Sequence, residues 1–127
     1  MPSPTPPHFS ASVSAGSHTT VLTIEGEVDL ATADDFAAAL AAAREESLPV
    51  VVDLRECPFM DSTGLQRLLH HRDEAHARGH RTALVYQDPG VIARIVTLVA
   101  PGLFETASSV DAAQVALSAP AAVDEPA

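Results

Sequence analysis

Apolar and polar positions alternate along this chain with two different periods, and the places where the period changes mark its elements. Phe9, Ala11 and Val13 alternate with serines, the period-two pattern of a strand with one apolar face. Gly16 and Ser17 make a turn, and Val21 to Ile24 forms a second strand ending at Gly26, so the opening segment reads as a hairpin. Thr32 is placed to cap a helix from Ala33 to about Glu46, closed by Ser47, Leu48 and Pro49. Val50 to Leu54 is a nearly continuous β-branched run, the mark of a strand covered on both faces. Beyond Phe59 and Met60 the period becomes helical as far as about Arg78, with Gly79 as the stop and Leu65, Leu68, Leu69 and Ala75 as the inward stripe. Thr82 to Tyr86 is another strand. Pro89 opens a third helix, Val91 to Val99, ended by Pro101 and Gly102. Leu103 and Phe104 are expected to form a short last strand, and Val110 to Leu117 a final helix with Asp111 near its start.

After the hairpin, strands and helices therefore alternate. This predicts an α/β fold with a mixed, largely parallel sheet of about four to five strands and about four helices. Only one face of each helix is strongly apolar, which places the helices mainly on one face of the sheet. The 127 residues suit a single domain able to bury a core. Residues 1–7 and 119–127 are rich in Pro, Ser and Ala and are expected to be disordered tails around a domain at 8–118. No internal repeat is evident.

The charge narrows the partners. A net charge of -10, with no Lys, argues against nucleic acid, whose phosphates need clustered cations, and against anionic membrane surfaces. The acidity is spread along the chain, as a solubility charge or as steering toward a basic partner. Cys57 is the sole cysteine, so no internal disulfide can form; beside Pro58, Phe59 and Met60 it is expected to be a buried small residue. No apolar run reaches the ~18 residues of a membrane span. The start of the chain lacks the basic and apolar regions of a signal peptide, so a cytoplasmic location is expected.

The densest chemical signal lies between Asp53 and Gly64, where a buried strand ends and a helix begins at Asp61, Ser62, Thr63 and Gly64. Such residues suit a helix start for a structural reason, because their side chains accept hydrogen bonds from its free amides; Thr63 and Gln66 have the spacing of a capping box. The same place suits regulation. A serine hydroxyl there sits at the carboxyl edge of an open α/β sheet, where ligands bind. A phosphate added to it brings about -1.5 to -2 charges, which the helix amides tolerate and a docking partner does not.

Other chemistries fit less well. His76 and His80 are separated by Gly79, and His70 and His71 face different directions, so the histidines are read as solvated helix residues and no metal site is expected. A receiver domain phosphorylated at Asp53 or Asp61 needs a late Lys that this chain lacks. Neither a Gly-x-Ser-x-Gly elbow nor a Gly-rich phosphate loop with Lys is present, so no catalytic residues and no cofactor are assigned.

Val51-Val52-Asp53-Leu54, followed by Phe59-Met60-Asp61-Ser62-Thr63-Gly64-Leu65, resembles the signature of the STAS domain family, in particular its anti-sigma factor antagonists. Gly26-Glu27-Val28-Asp29 with Ala33 to Leu40, Gly79, and Gly102-Leu103-Phe104 fall in that family's order, and the resemblance spans residues 9 to 117. It implies a binding protein that is not an enzyme. The unphosphorylated form would bind an anti-sigma factor with serine kinase activity and release a sigma factor. Phosphorylation of Ser62 would switch binding off, and a metal-dependent serine phosphatase would restore it. Asp29, Asp61, Ser62, Thr63 and Gly64 are the implied partner-binding residues, on a monomer or weak dimer. Two other STAS roles remain open: a scaffold that sequesters a kinase, and a sensor of a nucleotide or lipid. The chain departs from the resemblance at Val91 to Val99, which is more apolar than expected, with Arg94 its one basic residue.

Overall fold

The structure is a computed structural model and describes residues 9–118. The tails expected at 1–7 and 119–127 lie outside the described residues. The opening alternation does form a hairpin: β1 (Phe9–Ala15) and β2 (Thr20–Gly26) pair antiparallel in unbroken register from Phe9↔Gly26 to Ala15↔Thr20. Gly26 ends β2 at φ 103°, in the left-handed region where a side chain would be strained. The chain continues through α1 (Ala33–Arg44), β3 (Val50–Glu56), α2 (Ser62–Ala77), β4 (Thr82–Val85), α3 (Val91–Val99), β5 (Glu105–Ala107) and α4 (Val110–Ser118).

The five strands lie in the order β1-β2-β3-β4-β5, and every pairing after the hairpin is parallel. Sequential parallel strands joined by right-handed crossovers must carry their helices on one side. Accordingly Phe36 and Leu40 of α1, Leu68 of α2, and Ile92 and Val96 of α3 pack in one cluster with Leu22, Ile24, Val50, Val52 and Leu84. α4 follows the last strand, crosses to no other, and covers the opposite face: Ala113 and Leu117 pack on Val51, Ala83 and Val85. β3 is thus apolar on both faces because both are covered.

Four local expectations are corrected. The last strand is Glu105–Ala107, not Leu103 and Phe104. The turn after α3 extends through Leu103, whose amide donates to the Ala100 carbonyl at 3.3 Å, while Phe104 packs partly against the core. Helix α1 ends at Arg44, because Glu46 and Ser47 donate to the carbonyls of Ala43 and Arg44 in a closing turn and Ser47 takes φ 57°. Leu69 is only half-buried; the buried stripe of α2 runs through Gly64, Leu65, Leu68, His71 and Ala75. His71 is therefore not solvated.

Candidate functional site

Two loops meet at the carboxyl edge of the sheet. The segment after β2 and the segment before α2 run side by side through a parallel bridge between Val28 and Met60. Val28 donates its amide to the Phe59 carbonyl, and Asp61 donates its amide to the Val28 carbonyl, both at 3.0 Å. Each loop is held by an aspartate. Asp29 Oδ1 accepts from the amides of Ala31 and Thr32 at 3.0 and 3.2 Å, an Asx turn that leads into α1. The Thr32 hydroxyl makes no cap bond to α1. It accepts from the Asp29 amide and donates to the Glu27 carbonyl, so the expected Thr32 cap is replaced by this turn.

Asp61 caps α2. Its backbone is extended, and Oδ1 accepts from the amides of Thr63 and Gly64 at 2.9 and 3.1 Å. The capping box expected from Thr63 and Gln66 is thereby displaced by two positions, because the acceptor that starts the helix is the carboxylate before Ser62. Ser62 is the first helical residue and is exposed. Among the described residues no side chain hydrogen-bonds its hydroxyl.

Gly64 is buried and does not reach the surface. A Cβ built on it would lie 2.6 Å from Val28 Cγ1 and 2.7 Å from Met60 Cγ. Its role is to let α2 approach the bridge that fixes both loops. Thr63 is half-buried behind Ser62. The five residues singled out in the sequence are therefore assembled at one edge, in different ways: Ser62 at the surface, Asp29 and Asp61 locking the loops, Thr63 and Gly64 beneath.

The surface around Ser62 is partly apolar. Leu30, on the first loop, is 77% exposed, and Phe59, on the second, is 42% exposed. Two cations of the flanking elements are paired with carboxylates: Arg67 of α2 binds Asp34 at 3.2 Å, and Arg55 of β3 forms a bidentate pair with Asp53 at 2.9 Å for both bonds. Burial alone would raise the Asp53 carboxyl, but the bonds from Arg55 outweigh it and hold the pKa below the usual carboxylate range. Asp53 is a satisfied end-of-strand carboxylate. Cys57 is buried, as expected; its thiol donates to the Phe59 carbonyl at 3.3 Å, and burial raises its pKa. Among the described residues no group of three or more His, Cys, Asp or Glu is placed to hold a metal ion. No helix among them is long and apolar enough to cross a membrane.

His71 was missed by the sequence reading. It is fully buried between three elements, with Nδ1 3.1 Å from Arg44 Nη1 of α1 and Nε2 3.0 Å from Thr82 Oγ1 of β4. A guanidinium can only donate, so Nδ1 is the acceptor and Nε2 carries the proton toward Thr82. Burial first, then the charge of Arg44 and of His70, lowers its pKa from 6.5 to about 4. The available signal was the spacing of Leu68, His71 and Ala75 on one helical face.

Comparison with known proteins gives one family and one fold. The STAS domain family profile matches residues 11–113. No curated relative matches the chain. An anti-sigma factor antagonist from Mycobacterium paratuberculosis has a similar structure, with a TM-score of 0.79 at 23% identity over 91% of this chain and 98% of that one. The anti-sigma factor antagonist SpoIIAA in its unphosphorylated form gives 0.62 at 21% identity, over 86% of this chain and 96% of that one. The phosphorylated form of the Bacillus protein SpoIIAA gives 0.62 at 21% identity, over 83% and 96%. At these identities the likeness is one of fold.

Proposed function

The chain belongs to the STAS domain family, and from that premise we propose that it is an anti-sigma factor antagonist controlled at Ser62. The unphosphorylated form binds an anti-sigma factor that is itself a serine kinase and so frees a sigma factor. Transfer of the ATP γ-phosphoryl group to Ser62 Oγ, with the hydroxyl proton passing to a base of the kinase and ADP leaving, ends that binding. A metal-dependent phosphatase hydrolyses the ester and resets the protein. On this reading the chain is a cytoplasmic substrate and competitor, and the chemistry belongs to its partners.

The observation that carries the proposal is the placing of Ser62. Its hydroxyl is exposed at the first turn of a helix, on loops tied together and flanked by Leu30 and Phe59. Such an edge offers a partner apolar area around a reactive hydroxyl, without burying the hydroxyl. The solved structures of SpoIIAA in both phosphorylated and unphosphorylated forms give a precedent for the cycle in a protein of this fold.

Asp61 explains why the phosphate acts as a switch. A helix N-terminus normally offers its free amides to an anion. Here the Asp61 carboxylate already occupies those of Thr63 and Gly64. A phosphate on Ser62 therefore finds a turn whose positive end is largely answered, beside a carboxylate of like charge. It projects toward the partner instead of folding back. Desolvating it in an interface at about 3 kcal/mol weakens binding more than 100-fold.

The test compares Ser62→Ala with Ser62→Asp, each recovered from native cells with its bound proteins quantified. The proposal expects one ATP-binding serine kinase to be strongly enriched with Ser62→Ala and depleted with Ser62→Asp. Equal recovery on both, or no kinase on either, contradicts it.

A further inference from the structure

Among the described residues, the outer edge of β1 carries none of the devices that protect an edge strand. Strand edges are normally blunted by Lys, Pro, a bulge or a covering segment, because their free amides and carbonyls template another strand. β1 is Phe-Ser-Ala-Ser-Val-Ser-Ala, with no charge, no proline and no break in its register with β2. Among the described residues, β2 is its one strand neighbour.

Two hydrogen bonds settle which backbone groups face outward. The Gly16 amide donates to the Thr19 carbonyl at 2.9 Å, closing the hairpin, and the Thr20 amide points the other way, to the Pro49 carbonyl beside β3 at 2.9 Å. Ala15↔Thr20 is therefore a non-hydrogen-bonded pair. Such pairs alternate with bonded ones along an antiparallel ladder. It follows that Ser10, Ser12 and Ser14 spend their amides and carbonyls on β2, while Phe9, Ala11, Val13 and Ala15 present theirs to the outside.

We propose that β1 is a self-association edge on which a second copy of this chain adds antiparallel, β1 to β1, about a two-fold axis at Ser12. This register pairs Ala11 with the partner's Val13 and Phe9 with the partner's Ala15, so the outward groups of both copies bond to each other. Ser10 falls opposite the partner's Ser14, and Ser12 opposite the partner's Ser12. Both faces then match: small apolar residues meet on the α1 side, where Val13 is now 40% exposed, and serines meet on the other. A second copy is the occupant that this register favours, because the edge is complementary to itself: outward groups meet outward groups, apolar side chains meet apolar ones and serines meet serines. Two molecules of net charge -10 repel overall, and β1 adds no ionised side chain to that repulsion. The two-fold axis reverses β3 in the second copy, so the two Ser62 sites lie on opposite edges of one continuous sheet and remain open to partners.

Sedimentation velocity of the full chain, from about 1 μM to about 1 mM, tests this, with variants at the exposed Ser12. The wild-type chain should dimerise. Ser12→Lys, which sets like charges opposite one another, should weaken the dimer by up to about fivefold. Mixing Ser12→Lys with Ser12→Glu should restore it as a heterodimer. Mild oxidation should link Ser12→Cys into a covalent dimer and leave Ser10→Cys unlinked. A monomer at every concentration, a dimer indifferent to Ser12→Lys, or a link formed equally by Ser10→Cys would each overturn the proposal.

Discussion

At the scale of single residues, Asp61 and Ser62 divide the work of the site. The carboxylate builds the helix start, and the exposed hydroxyl is the group the proposed function assigns to exchange with a partner. The two should therefore separate by mutation. Asp61→Ala removes the acceptor for the amides of Thr63 and Gly64 and should cost about 1 kcal/mol of stability. Ser62→Ala should change stability by less than about 0.5 kcal/mol, since an exposed hydroxyl without a cap bond is lost. Urea unfolding of both variants checks this, and a larger loss from Ser62→Ala would make the hydroxyl structural. Gly64 gives a third residue-scale prediction. Ala is the better helix former by about 1 kcal/mol, but its Cβ would crowd Val28 and Met60, both fully packed. Overpacking costs about 1 to 3 kcal/mol, so Gly64→Ala should destabilise and Gly64→Val more so. A stabilised Gly64→Ala would mean that the Val28–Met60 bridge yields freely.

Among the elements, His71 ties α1, α2 and β4 together through Arg44 and Thr82. Its folded pKa, about 4, lies below its ordinary value of 6.5, so in this range the unfolded chain binds the proton and the folded one does not. Stability is thus full above pH 6.5, falls as the pH drops, and levels off below about 4, a loss on the order of 3 kcal/mol. Asp53 acts lower: its depressed pKa keeps its contribution until the pH falls below the ordinary 3.8. His71→Gln, which does not titrate, should flatten the slope between pH 6.5 and 4 in urea midpoints taken across that range. An unchanged slope would assign it to other groups. The elements themselves were largely legible, because Val50 to Leu54 and the helix after Ser62 have strong periods. The exceptions have physical causes. A histidine scores as polar although a donor on one side and an acceptor on the other let it be buried. The polar strand Glu105–Ala107 is chosen by its neighbour β4 and not by apolarity, which Leu103 and Phe104 mimic. The acceptor that caps α2 competes with two other capping residues within three positions.

At the scale of the whole molecule, the described residues form a sheet with three helices on one face and one on the other, and the candidate site lies at the carboxyl ends of the parallel strands. The mixed, largely parallel sheet was legible from the alternation of elements, but its order β1-β2-β3-β4-β5 was not, since alternating elements with right-handed crossovers allow more than one arrangement. The meeting of Asp29 with Asp61 across the Val28–Met60 bridge was not legible there either, because no period in the sequence encodes a contact between two loops; the family resemblance supplied it. This architecture keeps the proposed switch residue apart from the core. Ser62 is exposed and none of the buried cluster rests on it. Phosphorylation should therefore leave the melting temperature within about 2 °C, the shift expected for a change well under 1 kcal/mol, while abolishing partner binding. A phosphorylated form that melts much earlier would make the switch one of unfolding instead of docking.

The central claim is tested most directly by the intact mass of the full chain purified from its native cells in growth and in stress, followed by mapping of the modified residue. The account predicts a species one phosphoryl group heavier in at least one condition, with the phosphate on Ser62 and no such species for Ser62→Ala. An unmodified Ser62 in every condition, or a phosphate on another residue that persists in Ser62→Ala, would contradict it.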